Sequence, residues 1–539
     1  MSTKTNCTGD RAHTLFTTTI VLTLTTLFAR TIVVYYNVYL SGKIGAVGIG
    51  IFELIMSVYA FAKTAATAGV SLATTRLSAE NENFSKTMRR ILLICLLLGI
   101  FCALALILLA PFLCKNVLDD PPGGEAALKI LAVSLPFLAM SSAFGGHFLA
   151  RRKMKLYAPI NICEQLIRVG LTVILLERFS RDTLAFSVAS IALAITLSEV
   201  VAFLFSSFFY CLITKRTNIK TQVPTRFLHS FTRLALPVGA GALFRASLNT
   251  VYNILVPFGL RRSGASSERS LASYGIIQGM ALPIILYPSA LMGSLALQLV
   301  PEIASLHAQG KTGEITYIAR RVLRIALLFS LTCAGVMFFF AEELSLAVFS
   351  QTDSAPFIRA LAPLIPIMYL DTVSDGILKG LDLQLKVLGI GIVDSFLSLT
   401  LIYFLLPPFA MTGYIITIYA GECINTLLGQ IELRRHLKLR LSFFNDLFLP
   451  MLCIALACQL TKRVFLYTVA PESVLGVTAS ILAAVCGGIL LCILTHTVKK
   501  EELHWARKLF SFKYNPFDKN CGRRNSINAT HNRTPSEKA

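Results

Sequence analysis

Charged residues are scarce in this chain. Asp, Glu, Lys and Arg make up 15% of its 539 residues, whereas hydrophobic residues make up 55%. A soluble protein carries about 25% charged residues, so this scarcity indicates that lipid rather than water surrounds most of the chain. Runs of short alternating strands, which a membrane barrel needs, are also missing. The membrane-spanning segments are therefore expected to be helices, which satisfy every backbone hydrogen bond within the hydrocarbon core.

The residue patterns of soluble enzymes are missing as well. The "GKT" at residues 310–312 has no glycine five residues before it, so it is not a phosphate-binding loop. The eight histidines are not clustered, and the thirteen cysteines lack the spacing of metal ligands. We interpret the cysteines as small hydrophobic residues. These absences argue against ATP hydrolysis, and they predict that the protein is not an enzyme and holds no metal or cofactor.

Long apolar runs recur along almost the whole chain. A run of about 20 residues is long enough to span a bilayer as a helix. We count fourteen such runs, at residues 14–40, 44–75, 91–114, 126–150, 157–177, 184–213, 229–258, 271–300, 322–348, 357–380, 386–409, 411–433, 445–468 and 473–497. The sequence therefore predicts an all-α polytopic membrane protein with fourteen transmembrane helices.

The net charge of +21 comes from basic residues that crowd alternate loops. These loops are residues 76–90, 151–155, 215–226, 320–324 and 434–440. Their alternation is the positive-inside pattern, and it predicts that both termini are cytoplasmic. The charge thus indicates orientation in the membrane rather than binding of nucleic acid. The basic, polar tail at 499–539 is expected to be disordered and to interact with anionic membrane lipids.

Three landmarks recur in the same order in the two halves of the sequence. They pair residues 28–40 with 244–257, 48–75 with 274–305, and 143–159 with 373–389. This order predicts a six-helix unit used twice, at 1–220 and 221–440, followed by two extra helices at 441–498. Because six is even, the repeat is parallel, and its two lobes enclose a central cavity that opens alternately to either side.

Four cations of interest lie inside the predicted spans, where a charge costs about 2.5–3.5 kcal/mol at the membrane centre. They are Arg30, Lys63, Arg168 and Arg245. Arg30 and Arg245 hold corresponding places in the two repeats, which favours the central cavity for both. Lys63 has no acid three or four residues away, so it has no local partner. Snorkelling of these side chains to the interface stays open as an alternative.

Acids lie inside the spans too. Glu164 precedes Arg168 by four residues, so the two share a helix face in the favourable order. They form either a neutral structural pair or an arrangement in which Glu164 aims Arg168 into the cavity. Glu53 precedes Lys63 by nearly three turns and loosely shares its face.

The second half holds three acids of interest, Asp371, Asp375 and Asp394. They either line aqueous space or bind a coupling Na⁺ or H⁺. Glu199 and Glu422 are two further acids in apolar runs. The only tryptophan, Trp505, lies in the tail, so the cavity lacks the aromatic cage that a lipophilic cation would need. Cations in the first half favour an anionic substrate such as phosphate or pyrophosphate.

The segment "YLSGKIGAVGIGIFELIMSVYAFAKTAATAGVSLATTRLSAE" (39–80) resembles the stage V sporulation protein B/MurJ-like branch of the multidrug/oligosaccharidyl-lipid/polysaccharide (MOP) exporter superfamily. Similar segments lie at residues 164–171, 273–305 and 376–384, so the resemblance covers nearly the whole chain. It implies fourteen helices and two lobes around a V-shaped cavity. It also implies flipping of an undecaprenyl-pyrophosphate-linked saccharide, of which lipid II is the best-known cargo.

The resemblance extends to particular cations. Arg30 matches an arginine of the family's first helix, and Lys63 stands where lipid II flippases have an arginine, six residues before Gly69. A second first-helix arginine is replaced here by Tyr36 or Asn37. The eighth-helix arginine of MurJ has no counterpart in residues 276–288. These departures fit the sporulation-type branch better and leave lipid II as the cargo open.

We therefore expect a monomeric flippase in the bacterial cytoplasmic membrane, driven by Na⁺, H⁺ or the membrane potential. Its partners would be membrane lipids and a polyprenyl-pyrophosphate-linked saccharide, bound by Arg30, Lys63 and either Arg168 or Arg245. Two alternatives stay open: a cation-coupled multidrug exporter of the same superfamily, and a non-transporting scaffold for envelope or spore assembly.

Overall fold

The computed structural model describes residues 6–80, 85–151, 154–179, 183–214, 227–437, 439, 443–468 and 474–495. Within these ranges the regular structure is helical and contains no strand, as the scarcity of charge predicts. The tail at 499–539 and the whole basic loop at 215–226 lie outside the described residues. The disorder of the tail therefore stays a prediction.

Seven helices form the first half of the chain. They are α1 (Asn6–Thr67), α2 (Val70–Glu80), α3 (Ser85–Asn116), α4 (Gly124–Ala132), α5 (Leu135–Ala150), α6 (Met154–Phe179) and α7 (Leu184–Thr214).

The second half begins with α8 (Phe227–Arg262), α9 (Ser267–Gly275), α10 (Leu282–Leu286), α11 (Ser289–Ala308), α12 (Thr312–Phe339) and α13 (Ala341–Phe349). It continues with α14 (Ala355–Leu361), α15 (Ile365–Gly380), α16 (Gln384–His436), α17 (Leu449–Thr468) and α18 (Val474–Leu494). Two π-helical segments, Ile276–Ala281 and Phe443–Phe448, and one 3₁₀ turn, Ala362–Leu364, join neighbouring helices.

Two of these helices are broken within their length. The backbone of α1 leaves helical geometry at Gly45, whose φ is 67°, a value that glycine adopts without a side-chain clash. The corresponding break in α16 is at Ala410, with φ 48°, shortly after Pro407 and Pro408. Each break separates two predicted spans, and Gly45 lies one residue inside the span predicted to begin at 44. We call the parts of α1 before and after Gly45 its first and second segments.

Among the described residues, eleven helices are long and apolar enough to cross a membrane, or twelve if the α4–α5 pair, bent by 44°, is one span. The chain is therefore a multi-pass membrane protein, whereas the count of fourteen stays a prediction. The predicted span at 229–258 lies in α8, which is not among the eleven. The predicted span at 271–300 is divided by the turn at Tyr287 and Pro288.

The two C-terminal helices pack against the second half. A small apolar cluster joins α12, α17 and α18. Two ion pairs fix α17 near its ends: Arg324 Nε lies 3.0 Å from Asp446 Oδ1, just before α17 begins, and Lys462 Nζ lies 2.9 Å from Glu343 Oε1. Both carboxylates are buried, and the two pairs join α17 and the segment just before it to α12 and α13.

The two halves of the chain meet closely at both ends of the second segment of α1. At one end, a Cβ on Gly50 would lie 2.0 Å from the carbonyl oxygen of Leu271 in α9. At the other, a Cβ on Gly69 would lie 2.2 Å from the carbonyl oxygen of Ala235 in α8. The two contacts are about 28 Å apart along a helix axis, which is close to the thickness of the hydrocarbon core.

The Gly50 contact gives a test of this packing. Because the clashing atom is a backbone oxygen, Gly50→Ala can be accommodated only if α1 and α9 move apart. We expect a loss of stability of about 1–3 kcal/mol, as for other overpacked sites, measured as a lower thermal unfolding midpoint in detergent. Gly42→Ala is the control, because no atom lies within 4 Å of its added Cβ. Equal midpoints for the two variants would contradict the contact.

Candidate functional site

Four charged side chains from three helices form one cluster in the first half. Lys63 comes from the second segment of α1, Glu164 and Arg168 from α6, and Glu199 from α7. Arg168 Nη2 lies 2.6 Å from Glu164 Oε1 and 3.3 Å from Glu199 Oε1. Lys63 Nζ lies 3.6 Å from the same Glu199 oxygen. We call these four residues the charge cluster.

The members of the charge cluster differ in how firmly they are held. Arg168 donates hydrogen bonds to Glu164, to Glu199 and, through Nε, to Ser198 Oγ at 3.3 Å. Lys63 lies too far from Glu199 for a hydrogen bond. The Lys63 side chain is 47% exposed, whereas that of Glu199 is 5% exposed. The accessible end of the cluster is therefore positive.

The sequence predicted part of this arrangement. The contact between Glu164 and Arg168 follows from their spacing of four residues on one helix. Glu199 was visible as an acid in an apolar run, but no sequence spacing connects it to its two partners. As the sequence predicts, Lys63 has no partner three or four residues away; its partner is Glu199 of α7.

The structure places Arg30 and Glu53 outside the charge cluster. Arg30 is exposed on the first segment of α1 and makes no ion pair with any described residue. Its neighbour Thr31 shares a hydrogen bond with Tyr287 Oη of the second half, at 3.0 Å. Arg30 therefore lies where the two halves face each other. Glu53 also makes no ion pair with a described residue, and it lies near Tyr36 and Tyr274.

Arg245 belongs to a different polar site, in the second half. Its guanidinium packs over Gly391, where an added Cβ would lie 3.0 Å from Arg245 Nη1. Close by, a cavity of about 170 Å³ is lined by Asp394 and Glu422 together with Asn249, Tyr252, Ser395, Ser398, Ile418 and Gly421. The predicted correspondence between Arg30 and Arg245 therefore does not extend to their surroundings.

The three acids predicted to bind a coupling ion have different surroundings. Only Asp394 lines the cavity, where Glu422 joins it. Asp371 accepts a hydrogen bond from Asn425 Nδ2 at 2.9 Å, and Asp375 pairs with Lys379 at 3.3 Å. In the part of the chain that the structure describes, no group of three or more His, Cys, Asp and Glu residues could hold a metal ion.

Comparison with known proteins agrees with the helical membrane fold described above. Residues 15–258 match a family described as polysaccharide biosynthesis protein. Stage V sporulation protein B of Bacillus subtilis is 23% identical over 505 residues, covering 90% of this chain and 96% of that protein. A structure of the lipid II flippase MurJ in an inward closed conformation aligns with a TM-score of 0.65 at 13% identity, covering 88% of this chain and 99% of MurJ. The first half of the chain therefore matches this family, and nearly the whole chain is similar to a sporulation protein and, in fold, to a lipid II flippase.

A second structure extends this comparison. An inward-facing multidrug resistance MATE family transporter of the MOP superfamily aligns with a TM-score of 0.60 at 15% identity, covering 76% of this chain and 94% of that protein. At such low identity these structures show a shared fold. The helical membrane fold is thus shared with transporters of the MOP superfamily.

The charge cluster predicts an unequal effect of removing two glutamates. Glu199→Ala takes away a buried acid on which two cations converge, and breaking such a pair costs about 3–5 kcal/mol. Glu125→Ala is the matched control, because Glu125 forms an exposed pair with Lys129 and such pairs contribute about 0–1 kcal/mol. We expect a clearly lower thermal midpoint in detergent for the Glu199 variant alone. The same midpoint in both variants would show that the cluster does not stabilise the fold.

Proposed function

We propose that this protein flips a polyprenyl-pyrophosphate-linked saccharide, similar to lipid II, across the bacterial cytoplasmic membrane. The observation that carries the proposal is the polarity of the charge cluster. Its cationic end, Lys63, is accessible, while its acids lie deeper. An anionic head group entering between the two halves would therefore meet positive charge first.

Arg30 and Lys63 are the residues that we assign to the pyrophosphate. Arg30 has no acidic partner among the described residues, so its coplanar N–H groups can bind two phosphate oxygens edge-on. Lys63 offers a flexible ammonium group that can follow the phosphate. Arg168 is occupied by three acceptors and acts instead by holding Glu199 and Glu164 in place. Arg245 lies beside acids of the second half and is not assigned to the head group.

The transport cycle follows from the close contacts at the two ends of the second segment of α1. Separating the Gly50 contact opens the cavity at one membrane face, and separating the Gly69 contact opens it at the other. The sugar and the pyrophosphate cross in the polar cavity, because charge in hydrocarbon is costly. The polyprenyl chain stays in the lipid throughout. The names of the two relatives, a lipid II flippase and a sporulation protein, support a cell-envelope saccharide as cargo.

Complementation tests the site. In a bacterial strain depleted of its own flippase, we expect Arg30→Ala and Lys63→Ala to lose most of the rescue, because each removes a phosphate contact. Lys63→Arg keeps the positive charge and is expected to keep partial rescue. Lys129→Ala, which removes an exposed lysine of the same half, is the control. If both alanine variants rescue growth like the parent protein at equal expression, the site assignment is wrong and a scaffold role gains support.

A cation-coupled multidrug exporter is the second candidate, and one observation favours it. The cavity between α8 and α16 holds two carboxylates, Asp394 and Glu422, which suits a small cation. The shared fold with a MATE transporter is compatible with this role.

Dye efflux separates the two candidates. From the flippase proposal we expect cells that express the protein to extrude a cationic dye no faster than cells with an empty vector. Efflux that depends on Na⁺ or H⁺, falls in Asp394→Asn and persists in Asp371→Asn would instead identify an exporter, since only Asp394 lines the cavity. Asp371 is the matched control because it is an acid of the same half outside that cavity.

A further inference from the structure

We infer that Glu199 is an internal counter-anion. It holds Lys63 while the cavity is empty, and the substrate pyrophosphate displaces it from Lys63. Binding of the head group then releases α1 from α7. This inference rests on the proposed function, and it assigns to Glu199 a positioning and coupling role that the substrate contacts alone do not provide.

The contacts of Glu199 show which bond can be exchanged. One oxygen, Oε1, faces both Lys63 Nζ at 3.6 Å and Arg168 Nη2 at 3.3 Å. If Lys63 leaves, Glu199 keeps Arg168 and is not left as an uncompensated buried charge, which would be strongly unfavourable. If Arg168 left, Glu164 would lose its close partner as well. Lys63 is therefore the exchangeable member of the cluster.

The formal charges support an exchange rather than simple addition. The empty cluster contains two cations and two acids, so its net charge is zero. When Lys63 turns to a phosphate, the remaining three residues carry one net negative charge. This charge repels the bound anion from the interior of the first half and keeps the head group at the accessible side. Release of the substrate then restores the pair between Lys63 and Glu199.

The pair also connects moving parts. Lys63 lies on the second segment of α1, between the contacts at Gly50 and Gly69. The same segment is bonded to the second half, because Thr250 of α8 donates a hydrogen bond to the carbonyl oxygen of Ser57 at 3.0 Å. Loss of the tie between Lys63 and Glu199 therefore loosens α1 from α7 while its bond to α8 persists. Head-group binding would in this way favour movement of α1 with the second half.

The helix near Lys63 suits such movement. The hydroxyl of Thr67 donates to the carbonyl oxygen of Lys63 at 2.8 Å, and the hydroxyl of Thr64 donates to that of Ala60 at 2.8 Å. Hydroxyl bonds of this kind bend helices. The segment ends three residues after Thr64, before the positive φ of Gly69 at 79°. Lys63 thus lies one turn before the end of this helical segment, where the chain can bend.

The test measures binding of inorganic pyrophosphate and farnesyl pyrophosphate to the purified full chain in detergent. In Glu199→Gln the amide oxygen still accepts a hydrogen bond from Arg168. Lys63, however, no longer has to separate from a negatively charged partner when it binds phosphate. We expect binding to become tighter by about fivefold, which corresponds to about 1 kcal/mol for a partly exposed ion pair. Glu164→Gln removes the same charge without touching Lys63, and we expect its affinity to stay within about twofold of the parent, since screening weakens the more distant charge.

The outcomes separate this inference from the proposed function. Lys63→Ala that binds both probes like the parent would overturn the proposed function itself. A second outcome is that Lys63→Ala loses binding while the affinity of Glu199→Gln is unchanged or weaker. It would leave the proposed function standing and overturn the exchange, because replacing a purely structural Glu199 can only lower the affinity. An equal gain in affinity in Glu164→Gln would also overturn the exchange. If Glu199→Gln does not fold, Glu199→Asp replaces it, and its shorter, weaker tie should likewise tighten binding.

Discussion

The arrangement of this protein depends on one constraint: a charge inside the membrane must have a partner or reach water. The charge cluster satisfies it by joining three helices through Arg168 and Glu199, with Arg168 held between two acids and Lys63 at the accessible edge. Lys63, the cation that remains accessible, is the member of the cluster that we propose for substrate binding.

The same segment of α1 carries the cluster's accessible cation and both close contacts between the halves. In the proposed exchange, a substrate that draws Lys63 away from Glu199 acts on the helix that also carries the close approaches at Gly50 and Gly69. The proposal thus places recognition and opening in one structural element. Because a packed interface without side chains between the backbones has little room for gradual adjustment, small movements of this segment are expected to open one contact at a time.

Each half contains one helix with an internal break, but the two halves differ in chemistry. The first half presents a cation at the edge of a neutral cluster, whereas the second half holds Asp394 and Glu422 in a small cavity near Arg245. This asymmetry is the reason why we propose the first half as the binding site of the anionic head group. It leaves the second half suited to a cation or a proton, which is the distribution that a transporter driven by an ion gradient would use.

The sequence by itself determined the class of the protein and the local parts of the site. The scarcity of charge predicts membrane helices because every backbone group must be bonded in lipid, and spacing on one helix predicts the pair between Glu164 and Arg168. Only the tertiary structure decided that Glu199 joins Lys63 to Arg168, that Arg30 stays without an acid among the described residues, and that Arg245 belongs to another site. Solvation and helical spacing act over a few residues and can be read along the chain. Contacts between distant helices depend on how close their backbones approach, and that distance is fixed only when the whole bundle has packed.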